Sequence, residues 1–263
     1  MKLLKSSLHD LRDLFGSVIC VREITEHLVS FDGDHSGVEA AAFMAKRNFD
    51  VIGVRENGVV VGFTRQIDEP GLLVRDSKRI FSASDMIEAS DSLTCVLEHL
   101  KQDNYVFVRI LGHVGGIVTR GDLQKAPFRM WLFGLVSLIE MHLLRILRAK
   151  YPLGEWKSKI SAGRLQKAME FHKDRVRRNI ECDPADCLQF SDKVDILIGS
   201  EEFRHLLGFE SRSASKRFFD DIRKLRDDLA HSGDIVSPRW PRLIGLTKES
   251  ERVLSALERL EIE

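Results

Sequence analysis

The run Gly116-Ile117-Val118-Thr119-Arg120-Gly121-Asp122-Leu123 decides how the first half of this chain folds. Its opening residues are apolar and β-branched, which suits a strand. The rest brings a hydroxyl, a glycine and a carboxylate, which suit a turn into a helix. Just upstream lies another β-rich run, Tyr105-Val106-Phe107-Val108-Arg109. The same order occurs 54 residues earlier, as Phe49-Asp50-Val51-Ile52-Gly53-Val54-Arg55 followed by Gly62 and Asp68. A repeat of this kind fixes the architecture before any single element does. Asn57-Gly58 is a strong hairpin signal ahead of Val59-Val60-Val61, and Gly112-His113 is expected to play that part in the second copy. An amphipathic helix is expected before each hairpin. The first covers about 37–47, with Val38, Ala41, Ala42 and Ala45 on one face; the second covers about 93–101, with Leu93, Val96, Leu97 and Leu100 at helical spacing. Asp91 and Ser92 are its N-cap candidates.

Each copy therefore reads strand, helix, strand, strand, helix. On these residues the first half, about 18–126, resembles a pair of CBS domains, the tandem module that takes adenosyl ligands. Gly116 to Asp122 looks like that family's motif of Gly, two apolar residues, Ser or Thr, two further residues and Asp. The expected domain is 1–126, with copies at about 18–70 and 80–126. The resemblance implies ligand-binding roles for Gly116, Thr119 and Asp122. It also implies an adenine nucleotide or S-adenosylmethionine as regulatory ligand. The residue chemistry agrees: a carboxylate at a strand-to-helix junction can accept two hydrogen bonds from the cis-diol of a ribose. Thr119 offers a hydroxyl, a nearby helix N-terminus offers free N–H groups to phosphate, and Gly115-Gly116 allows close approach to the backbone. The plainer alternative is that Thr119 and Asp122 cap the following helix. In the first copy the acidic position is kept by Asp68, but Arg65 stands where the hydroxyl should be. Arg65 could bind phosphate through its guanidinium, fill the site, or face solvent.

From Pro127 onward β-branched alternation gives way to helical periodicity. The expectation is an all-α domain over 127–263, so that the whole chain is α+β. Helices are expected at about 128–151, 161–179, 187–198, 213–230 and 248–260, with Pro238 and Pro241 forming a rigid connection before the last. Within the fourth, Arg226-Asp227-Asp228-Leu229-Ala230-His231 resembles the Arg-polar-…-His motif of the HEPN family of small helical domains, many of them ribonucleases. The resemblance implies metal-independent cleavage of RNA to a 2′,3′-cyclic phosphate and a 5′-hydroxyl. Neutral His231 suits proton transfer from the 2′-hydroxyl and Arg226 suits the developing anionic charge. Asp227, one turn before His231, is placed to orient its imidazole. Arg226 and His231 lie about 140° apart around a helix. One chain alone makes a poor site, so a homodimer with both pairs in one cleft is expected. Capping of the helix C-terminus by His231 and Gly233 is the competing explanation. Glu140 interrupts the apolar first helix and is a lesser candidate, otherwise expected to pair with an arginine.

The chain has 263 residues, 40 Lys+Arg and 40 Asp+Glu. Residues 1–126 carry 15 basic and 18 acidic side chains, and residues 127–263 carry 25 and 22. Zero net charge excludes a strongly basic nucleic-acid binder, so any RNA contact must be local. Two basic clusters in the helical half are candidates for it: Lys173, Arg175, Arg177 and Arg178, and Lys216, Arg217, Arg223, Lys224 and Arg226. No zinc spacing, P-loop or nucleophile elbow appears, so no metal is expected. Cys20, Cys95, Cys182 and Cys187 form no C-x-x-C pair and read as free thiols. Residues 1–7 read as neither a signal nor a transit peptide, and the most apolar run, 130–139, is half the roughly twenty residues a membrane span needs. The expectation is a cytoplasmic protein with no membrane partner. The leading function is an adenine-nucleotide-regulated endoribonuclease. The alternative is a non-enzymatic adenosyl-ligand sensor whose helical half serves dimerisation or partner docking. A cognate antitoxin or regulatory protein is left open.

Overall fold

A computed structural model of the chain describes residues 7–17, 19–65, 73–231, 233–237 and 240–260. It opens with helix α1 (Leu8–Ser17), started by a reciprocal cap: the Ser7 N–H donates to Asp10 at 2.8 Å and the Asp10 N–H to Ser7 Oγ at 3.0 Å. A short strand, β1 (Glu26–His27), follows. The first copy is then β2 (Ser30–Asp32), α2 (Gly37–Arg47), β3 (Ile52–Glu56) and β4 (Val59–Thr64). The second is β5 (Met86–Glu88), α3 (Leu93–Leu100), β6 (Tyr105–Ile110) and β7 (His113–Thr119).

The two copies match in register as well as in order. β2 runs parallel to β3, and β3 antiparallel to β4; β5 runs parallel to β6, and β6 antiparallel to β7. Each hairpin has one irregularity, between Val54 and Arg55 in the first and between Val108 and Arg109 in the second. The unpaired extra residues are Val61 and Gly115, again 54 apart. The cross-strand ion pair Asp32–Arg55, at 3.0 Å, has its counterpart in Glu88–Arg109. The resulting sheets are β2-β3-β4 and β1-β7-β6-β5.

Two local expectations need correction. The second hairpin turns on Leu111-Gly112, with φ of 53° and 86°, not on Gly112-His113. It repeats the geometry of Asn57-Gly58, with φ of 51° and 79°. A leucine in that conformation gives no turn signal, which explains the one-residue displacement. On α2 the buried face is Gly37, Ala40 and Met44, while Val38 is exposed. In an alanine-rich helix the small side chains barely differ from face to face, so the large residues that pack, Phe43 and Met44, decide the orientation. Helix α3 buries Leu93, Val96, Leu97 and Leu100 as expected.

Phe63 and Phe107 meet at 4.8 Å between ring centroids, in a core with Leu28, Val51 and Val114 that joins both copies. Phe81 closes it from the side, 4.8 Å from Phe107.

After β7 the described residues hold helices only: α4 (Ala126–Lys150), α5 (Ala162–Arg177), α6 (Phe190–Leu197), α7 (Glu201–Leu206), α8 (Arg212–Ala230) and α9 (Trp240–Arg259), with short 3₁₀ turns between them. Helix α7 was not expected. Helix α9 starts eight residues before the expected 248, because Pro241 sits in its first turn, where a missing N–H costs nothing, and not in a connection. Pro238 lies outside the described residues. Trp131, Leu132, Leu135, Val136, Ile139 and Leu143 give α4 a broad buried face. Phe190, Phe209, Phe218 and Phe219 form an aromatic cluster with centroids 5.0–6.3 Å apart.

The apolar stretch of α4 is longer than the ten-residue run suggested. It is the one described helix long and apolar enough, by length and composition, to cross a membrane, and 56% of its most apolar window is buried within the fold. The chain divides into two compact units, residues 13–128 and residues 129 onward with the start of α1, so the division falls inside α4.

Candidate functional site

Strand β7 ends at Thr119, and a 3₁₀ turn (Arg120–Gln124) follows and places Asp122 beside it. The Thr119 N–H and hydroxyl both donate to Asp122 Oδ2, at 2.7 and 2.8 Å. Asp122 Oδ1 lies 2.9 Å from Lys125 Nζ. That ammonium also donates to the Ile24 carbonyl at 2.7 Å and to the Glu26 carboxylate. Partial burial works against the Lys125 charge, but the hydrogen bonds to Glu26 and Asp122 outweigh it and hold the lysine above its ordinary range. Asp122 is buried. Thr119 and Asp122 do cap the turn, as the plainer reading has it, and they do so at the wall of a cavity.

That cavity has a volume of about 470 Å³, within the usual range for small-molecule pockets. Its apolar walls are Leu28, Val29, Phe49, Val51, Tyr105 and Ile117; its polar groups are Glu26, His27, Asn48, Asp50, Asn104, Thr119 and Asp122. Both copies contribute, since Asp50-Val51 and Asn104-Tyr105 are equivalent under the repeat. Asn48 takes the left-handed conformation that ends α2, φ 54°, and so turns the chain into this wall.

The remaining candidates of this unit fall differently. Gly116 is not part of the cavity wall. A Cβ there would meet Thr25 Cγ2 at 2.3 Å and the Glu26 carbonyl at 3.3 Å, so this glycine makes room for β1. Arg65 donates from Nε to the Tyr105 hydroxyl at 2.5 Å and lies 3.7 Å from the Asp103 carboxylate. Burial raises the Tyr105 phenol above its usual pKa, opposed by that Arg65 hydrogen bond. Asp68 lies outside the described residues. Lys125 and Glu26 were missed in the sequence. Lys125 could have been found as the cation three residues after Asp122; Glu26 carries no local signal.

In the helical unit, α8 places Arg226 half-buried on one side and His231 exposed at its C-cap. Neither side chain has a hydrogen bond or ion pair with the described residues. Asp227 does not orient the His231 imidazole: its carboxylate takes Arg223 at 3.3 Å, and its link to His231 is backbone N–H to carbonyl at 3.0 Å. The C-terminus of α8 is capped from outside by Arg129, which donates to the carbonyls of Asp228, Leu229 and Gly233 at 2.9, 3.1 and 2.9 Å. Nothing near Arg129 in the sequence announces that role. Glu140 pairs with buried Lys193 at 2.8 Å, a lysine where an arginine was expected. In the second basic cluster, Lys216 pairs with Asp195, Arg223 with Asp227 and Lys224 with Asp221. Among the described residues no three metal-ligating side chains come together.

No protein-family description matches the chain, and no curated protein does. Solved structures do. A CBS domain-containing protein of unknown function from Bacillus anthracis is 13% identical, covering 40% of this chain and 90% of its own, at a TM-score of 0.35. A conserved CBS domain protein of unknown function from Thermoplasma acidophilum is 17% identical, covering 43% and 74%, at 0.34. The CBS domain of a bacterial CNNM/CorC family Mg²⁺ transporter, solved in complex with ATP, is 17% identical, covering 42% and 87%, at 0.35. Likeness at this level says nothing of the ligand or activity of this chain. Over roughly its N-terminal two-fifths, the chain is similar to CBS domain proteins.

Proposed function

We propose that residues 13–128 form an adenosyl-ligand sensor and that the ligand enters the cavity beside Thr119 and Asp122. The observation that carries this reading is the cavity itself. It holds about 470 Å³, is walled by Phe49, Tyr105 and aliphatic side chains, and has a carboxylate fixed at the strand end where a ribose can be recognised. Three contacts from Thr119 and Lys125 leave a carboxylate with room for about one more donor, such as a ribose hydroxyl. The test is calorimetry on the full chain with adenosine, AMP, ADP, ATP and S-adenosylmethionine. At least one binds the wild type, and Asp122→Ala abolishes it. If none binds, the reading is wrong.

A second reading concerns the helical unit: a metal-independent endoribonuclease of HEPN type, acting through Arg226 and His231 at a homodimer interface and regulated by the sensor. One observation favours it. Arg226 and His231 keep their side chains uncommitted, while Arg223, Lys224 and Asp227 around them are paired. Regulation would come from different ligand affinities in two dimer arrangements. Purified protein is incubated with mixed RNA without metal, with and without adenosyl ligand, beside His231→Ala. Cleavage by the wild type alone supports the reading. Equal cleavage, or none by either, leaves a sensor whose helical unit serves dimerisation or docking of a regulatory partner.

A further inference from the structure

We infer that the cavity selects an adenosine-type ligand that bears no phosphate and is neutral or cationic beyond the sugar. The inference rests on the sensor reading and adds the charge of the ligand to it. Three carboxylates, Glu26, Asp50 and Asp122, belong to the described wall, and no lysine or arginine does.

Two cations that contact wall residues are already engaged. Lys125 has three N–H donors and three acceptors, the Ile24 carbonyl, Asp122 and Glu26, so it has no proton left for a phosphate oxygen. Arg65 is turned to the Tyr105 hydroxyl and the Asp103 carboxylate. A phosphate would ordinarily find free N–H groups where a strand turns into a helix. Here two donors at that place, the Thr119 N–H and hydroxyl, are taken from within, because both donate to Asp122. An incoming phosphate would therefore meet three carboxylates with only the neutral Asn48 and Asn104 amides and His27 as donors, and each added negative charge weakens binding. A ligand with a positive group in place of the phosphates would be attracted by the same carboxylates.

The experiment is calorimetry on the full chain with adenosine, S-adenosylmethionine, AMP and ATP, each with and without Mg²⁺. Adenosine and S-adenosylmethionine are expected to bind at least about 10-fold tighter than AMP, with ATP weakest, as follows from like charges a few ångströms apart. Asp50→Asn should narrow the adenosine-to-AMP ratio several-fold. AMP or ATP binding as tightly as adenosine, in either metal condition, overturns this inference and leaves the sensor reading intact. Absence of binding by all four overturns both.

Discussion

In the first strand of its hairpin the first copy has Gly53, and the second has Phe107 at the equivalent position. Phe107 is fully buried against Phe63, Phe81 and Tyr105. A Cβ on Gly53 would already press on Ser30, Val60 and Leu28 at 3.0–3.1 Å. The pairing register, bulge, turn and ion pair are the same in both copies, while the residues that meet in the shared core are unequal. The strand ends are unequal too, with Arg65 in one and the Thr119–Asp122–Lys125 arrangement in the other. Backbone register is imposed by alternation and by a two-residue turn of positive φ with glycine second, which both copies keep. Two copies sharing one core must interdigitate, so they cannot both present an aromatic at that place.

Five substitutions test this asymmetry. Phe107→Ala empties the shared core and should cost about 3–5 kcal/mol in urea unfolding. A cost below about 1 kcal/mol would mean the two copies do not share a core through this ring. Asp122→Ala removes the acceptor of two donors and leaves Lys125 with a partner fewer. It should cost about 1–3 kcal/mol in addition to ligand binding, whereas Arg65→Ala leaves the unfolding midpoint within about 0.5 kcal/mol. Equal costs for the two would erase the difference between the strand ends. Gly53→Ala should destabilise by about 1–3 kcal/mol through overpacking, and a neutral result would show that Leu28 and Val60 can give way. One effect is a gain. Leu111 holds φ of 53° and is 96% exposed, so Leu111→Asn should raise stability by about 1 kcal/mol, read as a higher melting temperature.

Much of the repeat was legible because its signals are local. The 54-residue offset, the Asn57-Gly58 turn and the periodicity of Leu93 to Leu100 each need only a few neighbouring residues. Leu111 misplaced its turn because a leucine there is chemically uninformative. Pro241 looked like a connection because a proline in the first turn of a helix and a proline in a loop look alike in sequence. In the site, Thr119 and Asp122 could be picked out, since their spacing is that of a cap and of a ribose-binding motif. Gly116 could be picked out too, but for the wrong contact: its missing Cβ admits β1, whose sequence carries no mark of where it docks.

The sequence by itself determined two repeated strand-helix-hairpin units, a helical second half, and the Thr119–Asp122 pair at a strand end. Only the tertiary structure decided that Glu26 and Lys125 close around Asp122, that Arg65 is held by Tyr105 and Asp103, and that the wall of the cavity is acidic. The reason is the range of the forces. Turns, caps and periodic faces are set within one or two turns of chain. The charge inside a cavity is a sum over side chains brought together by packing from distant positions, and no short window of sequence contains that sum.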